Sequence, residues 1–283
     1  MASEREESPT VRRRRLAAEL RRLRKESNLT TGQVAKALEV SQSSVSRIET
    51  ARQGIKINDL RALLTLYQVP EDKATDLLNL ARQARQQGWW QAFGDVVPES
   101  FQAFVGLETE ARQRCSYDVS LIPGLLQTPD YHRALVHAEL ISRTSEEVDR
   151  KIQFRLARQQ QTLGNDALEL CFIMDEASLH RLPGNIKAGQ LSQLVEASER
   201  HNVNLHILPF GTGIHAAMDG SFVILRFGAP DPDVVYLETQ LSGLYLEQPA
   251  AIRRYNLVYD DLQAKALDAR ASRDLLTKLA KEA

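Results

Sequence analysis

Cysteine is scarce in this chain: 283 residues contain only Cys115 and Cys171, far apart, with no Cys-x-x-Cys and no histidine at ligand spacing. That argues against a disulfide framework or a structural zinc and leaves two reduced, buried thiols as the expectation. A run of about 18 apolar residues is also missing, and the N-terminus is too polar for a secretory signal, so a cytoplasmic protein without membrane contact is expected. An excess of either charge is absent overall, since 36 Lys and Arg face 37 Asp and Glu. The balance is not uniform along the chain. Residues 1–88 carry 17 basic against 11 acidic side chains, the remainder 19 against 26, and all six histidines follow Trp89. The basic first part is drawn to phosphate with an affinity that salt weakens, and the acidic second part is not. The length accommodates two domains, each with its own core.

What is present concentrates in residues 30–49. Thr30 precedes an apolar-periodic run and has Gln33 three residues on, the pattern of a capping box that opens a helix. Val34, Ala35 and Leu38 share one helical face, Val45 and Ile48 share another after a turn, and Val40 fills the corner. Ala35 is small enough to let the two helices cross closely. Ser41 caps the second helix. Gln42, Ser43, Ser46 and Arg47 remain outward: polar, mostly short and free of acid. Such a face suits a major groove, where Gln bridges adenine N6 and N7 and Arg bridges guanine O6 and N7.

With Leu16, Leu20 and Leu23 ahead of it, this stretch resembles the Xre/Cro (Cro/C1-type) family of phage-repressor-like DNA-binding domains. The resemblance implies that Gln42, Ser43, Ser46 and Arg47 read bases, that Thr31, Gln33 and Ser44 lie against phosphates, and that Glu49 pairs with Arg24. It departs from the family at Glu39, a turn position that is often glycine there; a left-handed non-glycine residue costs about 1 kcal/mol.

Along the chain, residues 1–9 read as a disordered lead. Arg12, Arg13, Arg14 and Arg15 then open a helix at the end where cations oppose the dipole, which favours a phosphate clamp or minor-groove arm. Arg52, Gly54 and Lys56 form a loop able to lean on the DNA backbone. Leu60, Leu63, Leu64 and Tyr67 make a fourth helix, and Leu77, Leu78, Ala81 and Ala84 a fifth, completing a five-helix phage-repressor-like bundle over residues 10–88. Gly88, Trp89 and Trp90 mark the joint.

Residues 89–283 read as a larger domain of mixed or antiparallel sheet covered by helices, making the whole chain α + α/β. Helices are expected at 98–114, 129–141, 145–163 and 189–200, with a long helical tail at 250–283. Strands are expected at 116–122, 168–174, 203–208, 221–227 and 234–239, those after His206 antiparallel because only short loops join them. Glu108, on an apolar helix face, is either a buried carboxylate or a solvated partner of Arg112. His206, His215, Asp219 and Glu238 could converge near Gly211 and Gly213 to give a base, a nucleophile activator or a metal pair, but their spacing matches no catalytic or metal motif, and the glycines lack the helix a phosphate loop needs. No catalysis, metal or cofactor is expected. Residues 211–220, with His215, Met218 and Asp219, read instead as a lid over a ligand or a docking loop.

The blocks 104–111, 121–131, 213–216, 220–227 and 235–238 are similar to those of a large family of actinomycete regulators. There an Xre-type domain precedes a C-terminal domain described as antitoxin-like and often encoded beside a small partner protein. The resemblance implies a transcriptional regulator whose partner is double-stranded DNA. A homodimer on two half-sites is the first expectation, with capture of a small protein or sensing of a small-molecule effector as alternatives.

Overall fold

The computed structural model describes residues 9–51, 53–84, 88–165, 167–229, 231–240 and 242–283. Two compact units divide the chain, Met1–Gln91 and Ala92–Ala283. The expected lead lies outside the described residues except for Pro9, where the first helix begins.

The first unit is a bundle of α1 (Pro9–Glu26), α2 (Thr31–Ala37), α3 (Gln42–Glu49), α4 (Ile57–Leu66) and α5 (Glu71–Gln83). Its core gathers Leu16, Leu20 and Leu23 from α1, Val34 and Ala35 from α2, Val45 and Ile48 from α3, Leu60, Leu63 and Leu64 from α4, and Leu77 and Ala81 from α5. Each completely buried leucine, such as Leu60, contributes on the order of 1.5–3 kcal/mol. The turns after α1 to α4 share one device. Asn28, Glu39, Ala51 and Gln68 all take a left-handed φ of 53–57°. At three of them the backbone bonds are those of a Schellman closure: Val40 N donates to the Ala35 carbonyl and Glu39 N to that of Lys36, with the same pair after α1 and α4.

The second unit is built on a six-stranded mixed sheet ordered β3-β2-β1-β4-β5-β6. After α6 (Glu99–Glu110) come β1 (Gln113–Asp118), α7 (Pro129–Ala138), α8 (Ser145–Leu163), β2 (Glu169–Asp175), α9 (Glu176–His180), α10 (Gly184–Ser198) and β3 (Val203–Leu208). These strands run parallel, and β4 (Phe222–Arg226), β5 (Val234–Glu238) and β6 (Gly243–Leu246) then add an antiparallel meander beside β1. Helical crossovers join the parallel strands and short loops the antiparallel ones, as chain connectivity requires. The tail is not one helix but two, α11 (Pro249–Lys265) and α12 (Ala269–Lys281), because the link between them pairs with an edge. Leu267 N donates to the Ile207 carbonyl and Ser272 Oγ accepts from Ile207 N, which covers β3 against stray pairing.

The strand β1 starts at Gln113, where the sequence pattern extends a helix to Arg114. Its polar alternation faces helices rather than water. Glu108 is 1% exposed, and its carboxylate takes Arg114 Nε at 2.9 Å together with Arg158 Nε at 2.6 Å and Nη2 at 2.8 Å. Arg114 Nη1 donates to Ser116 Oγ, which donates to Asp118. Burial alone would raise the Glu108 carboxyl, but the Arg158 and Arg114 guanidiniums reverse that and hold it below the usual range. Glu108 is thus the buried carboxylate, and Arg112 is not its partner.

Candidate nucleic-acid interface

Two helix starts shape the exposed ridge of the first unit. At α2, Gln33 N donates to Thr30 Oγ1 at 3.2 Å and Thr30 N to Gln33 Oε1 at 2.8 Å, so the capping box forms as read. At α3, Ser41 Oγ accepts from Ser44 N at 3.1 Å and lies 2.9 and 2.8 Å from the Ser43 and Ser44 hydroxyls. Val45, Ile48 and Glu49 turn inward, while Gln42, Ser43, Ser46 and Arg47 are exposed. The structure therefore gathers the four expected base readers into one outward row on one helix.

Contacts inside the unit set the posture of that row. Gln42 Nε2 donates to Thr31 Oγ1 at 2.8 Å, tying the start of α3 to the start of α2. Arg47 Nε donates to Gln53 Oε1 at 3.0 Å and Nη2 to Ser44 Oγ at 3.1 Å, so the guanidinium lies along the ridge. Gln53 was not singled out from sequence, since it sits in a loop with no periodic pattern. Beneath the ridge Arg24 binds Glu49 through Nε to Oε1 at 2.6 Å and Nη2 to Oε2 at 2.9 Å, and its Nη1 reaches the Leu29 carbonyl at 2.8 Å. One side chain of α1 thus holds both the turn before α2 and the end of α3.

The expected phosphate contacts fare unevenly. Thr31 and Ser44 are half-buried beside the ridge, and Lys56 is exposed at the start of α4. Gln33 is exposed, but its Oε1 is engaged in the cap. Arg52 lies outside the described residues. Arg12 is a correction. It is 5% exposed, because spacings of four, eight and eleven place it on the stripe of Leu16, Leu20 and Leu23, so it cannot serve as a phosphate arm here. Arg13, Arg14 and Arg15 are half-buried.

In the second unit, residues 101–278 match the family described as Domain of unknown function (DUF5753). The chain belongs to the DUF5753 family. Residues 15–77 match a helix-turn-helix domain, which marks the first unit of this DUF5753 chain as the DNA-binding part of a regulator. No curated protein and no solved structure matches the chain. No helix among the described residues is long and apolar enough to cross a membrane.

Within the DUF5753 unit, His206, His215, Asp219 and Glu238 do not converge. His206 Nδ1 meets the Leu267 carbonyl at 2.8 Å on the sheet edge, and Glu238 lies near Arg155 and Arg158. His215 Nδ1 accepts from Ala217 N at 3.2 Å, which puts the ring proton on Nε2, 3.4 Å from Tyr117 Oη. Tyr117 in turn donates to Asp175 at 3.2 Å. The loop is thereby pinned at His215, whereas Met218 at 65% and Ile214 at 89% exposure project outward and Asp219 is exposed.

Proposed function

We propose that the chain is a sequence-specific, DNA-binding transcriptional regulator of the Xre/Cro type that acts as a homodimer. The observation that carries this reading is the exposed row Gln42, Ser43, Ser46 and Arg47 on α3, backed by the buried Val45 and Ile48. A row of that width fits a major groove, and two copies would address half-sites about one helical turn apart. Gln42 and Arg47 supply the amide and guanidinium that read adenine and guanine, while Ser43 and Ser46 leave room for close approach. Thr31, Ser44 and Lys56 would then rest on phosphates and set register without reading sequence. The DUF5753 unit would supply dimer contacts and the regulatory input, a role that needs no catalytic step or cofactor.

The test is to select operator sites by footprinting and measure binding of Arg47→Ala to the selected site and to random duplex. The expected loss is about 1–3 kcal/mol, roughly 5- to 150-fold, on the operator only, with one base position relaxed. Equal loss on both duplexes would remove Arg47 from the readers.

A second reading, capture of a small protein partner by the DUF5753 unit, draws support from the exposed Phe210, Ile214 and Met218 around residues 210–218. A stoichiometric partner that co-purifies with the chain and is lost on Ile214→Asp would favour it. A small-molecule effector is the third; thermal stabilisation by a metabolite, absent when His215 is replaced, would favour that one.

A further inference from the structure

The two cysteines, 56 positions apart in sequence, are direct neighbours in the sheet. Cys115 of β1 and Cys171 of β2 occupy the same register of a parallel pair, so their side chains leave the sheet on one face. That face is apolar, packed with Tyr117, Ile173, Ile224, Val258 and Leu262. Paired strands lie about 4.8 Å apart, inside the Cα window of about 4.4–6.8 Å in which a disulfide can close. Both sulfurs are thiols in the structure.

The polar groups around this pair are unusual for an apolar layer. Gln113 Nε2 lies 3.7 Å from Cys171 Sγ and Asn204 Nδ2 3.9 Å from it. The Tyr259 hydroxyl, in a residue 3% exposed, has no hydrogen-bond partner among the described residues and belongs to the same layer as the two sulfurs. The neighbouring Cys171 lowers the Cys115 thiol against the opposing effect of burial, with the Arg226 guanidinium adding to it and the Glu169 carboxylate opposing, while Cys171 is raised and keeps its proton. Both residues are buried, Cys115 at 1% and Cys171 at 8% exposure.

We propose that Cys115 and Cys171 form a reversible oxidation site that closes to an intramolecular disulfide on reaction with hydrogen peroxide. The Cys115 thiolate attacks one peroxide oxygen, the O–O bond breaks, and the departing hydroxide leaves as water with the proton taken up. The sulfenic acid formed on Cys115 is then attacked by the Cys171 sulfur. The S–O bond breaks, a second water leaves with the thiol proton, and the S–S bond forms; two thiols have lost two electrons and the peroxide has gained them. The Tyr259 hydroxyl, unpartnered among the described residues, shares the layer of the two sulfurs, and Gln113 lies against the resolving Cys171. The preferred Cβ separation of a disulfide, about 3.8 Å, is shorter than the strand spacing, so the bond draws β1 and β2 together and is more easily reduced than a relaxed one. A dithiol reductant restores the pair.

The experiment treats the reduced, full-length chain with hydrogen peroxide under native conditions, then alkylates it in denaturant and maps peptides by mass. The expected result is the loss of two hydrogens, a cross-linked peptide pair joining Cys115 to Cys171, and recovery of both alkylatable thiols with dithiothreitol. Cys171→Ser should instead leave a dimedone-reactive sulfenic acid on Cys115, and the wild-type map decides the matter if that variant does not fold. The proposal is overturned if both thiols survive exposure that oxidises an equal concentration of glutathione, or if oxidation yields only intermolecular bonds or sulfonic acid.

Discussion

Arg24 and Glu49 meet through two parallel hydrogen bonds, 2.6 and 2.9 Å long, between side chains that are 13% and 7% exposed. Removing one member strands the other in a low-dielectric site, which costs more than removing both. Glu49→Ala should therefore destabilise the first unit by about 3 kcal/mol, and Arg24→Met with Glu49→Leu together by clearly less. Urea unfolding of the three proteins measures this, and a double variant that loses as much as Glu49→Ala or more would show that stranding one charge is not the cost.

The left-handed Glu39 has a φ of 54° and closes the turn between α2 and α3. Glycine adopts that conformation without the Cβ clash, but it also loses more freedom on folding. The balance favours Glu39→Gly by about 0.5–1 kcal/mol, read as a higher melting temperature with DNA affinity unchanged. A lower melting temperature would mean that the Glu39 side chain makes a contact worth more than the strain.

Acid stability should turn on two groups of opposite sign. Burial, with Arg155 and Lys151 nearby, depresses His132 from 6.5 to about 3, so the unfolded chain binds a proton that the folded one does not over that range. Stability from His132 is lost as pH falls below 6.5, by about 1.4 kcal/mol per unit. Desolvation raises Asp118 from 3.8 to about 6, so the folded chain binds the extra proton between those values and gains stability as pH falls. The two oppose each other from about 6 down to 3.8. Asp118→Asn should thus steepen the acid limb below pH 6 and His132→Gln should flatten it, in melting temperatures taken from pH 4 to 7. An unchanged limb in both variants would refute the assignment.

Arg155 reaches from α8 to the loop at Gly124 with its buried Nε unpartnered among the described residues, and burial followed by the nearby Arg158 lowers its guanidinium to about 9 against the pull of Glu238. A cation held this way opposes folding. Arg155→Met should keep the volume and raise stability by about 1 kcal/mol in urea unfolding. A loss of similar size would instead show that the attraction of the Glu238 carboxylate outweighs the burial.

The local signals in this chain were legible where neighbours in sequence are also neighbours in space. The Thr30–Gln33 cap, the Ser41 cap, the leucine stripe of α1 and the outward row of α3 all depend on spacings of three and four, and the structure carries each of them. The same spacing puts Arg12 with the leucines, a helical phase masked by the run of four arginines around it. The start of β1 escaped because Arg114, Ser116 and Asp118 face other charges inside the fold, and a strand with a buried polar side has no apolar alternation to detect.

By itself the sequence determined the helical bundle, its caps and turns, the exposed polar ridge and the antiparallel course of the later strands, since these follow from backbone preference and short-range burial. Only the tertiary structure decided that Glu108 closes on Arg114 and Arg158, that the tail breaks at Leu267 to cover β3, and that Cys115 lies beside Cys171. Those arrangements join residues 6 to 65 positions apart through strand order and crossover helices, and strand register is set by the packing of whole faces rather than by any one segment.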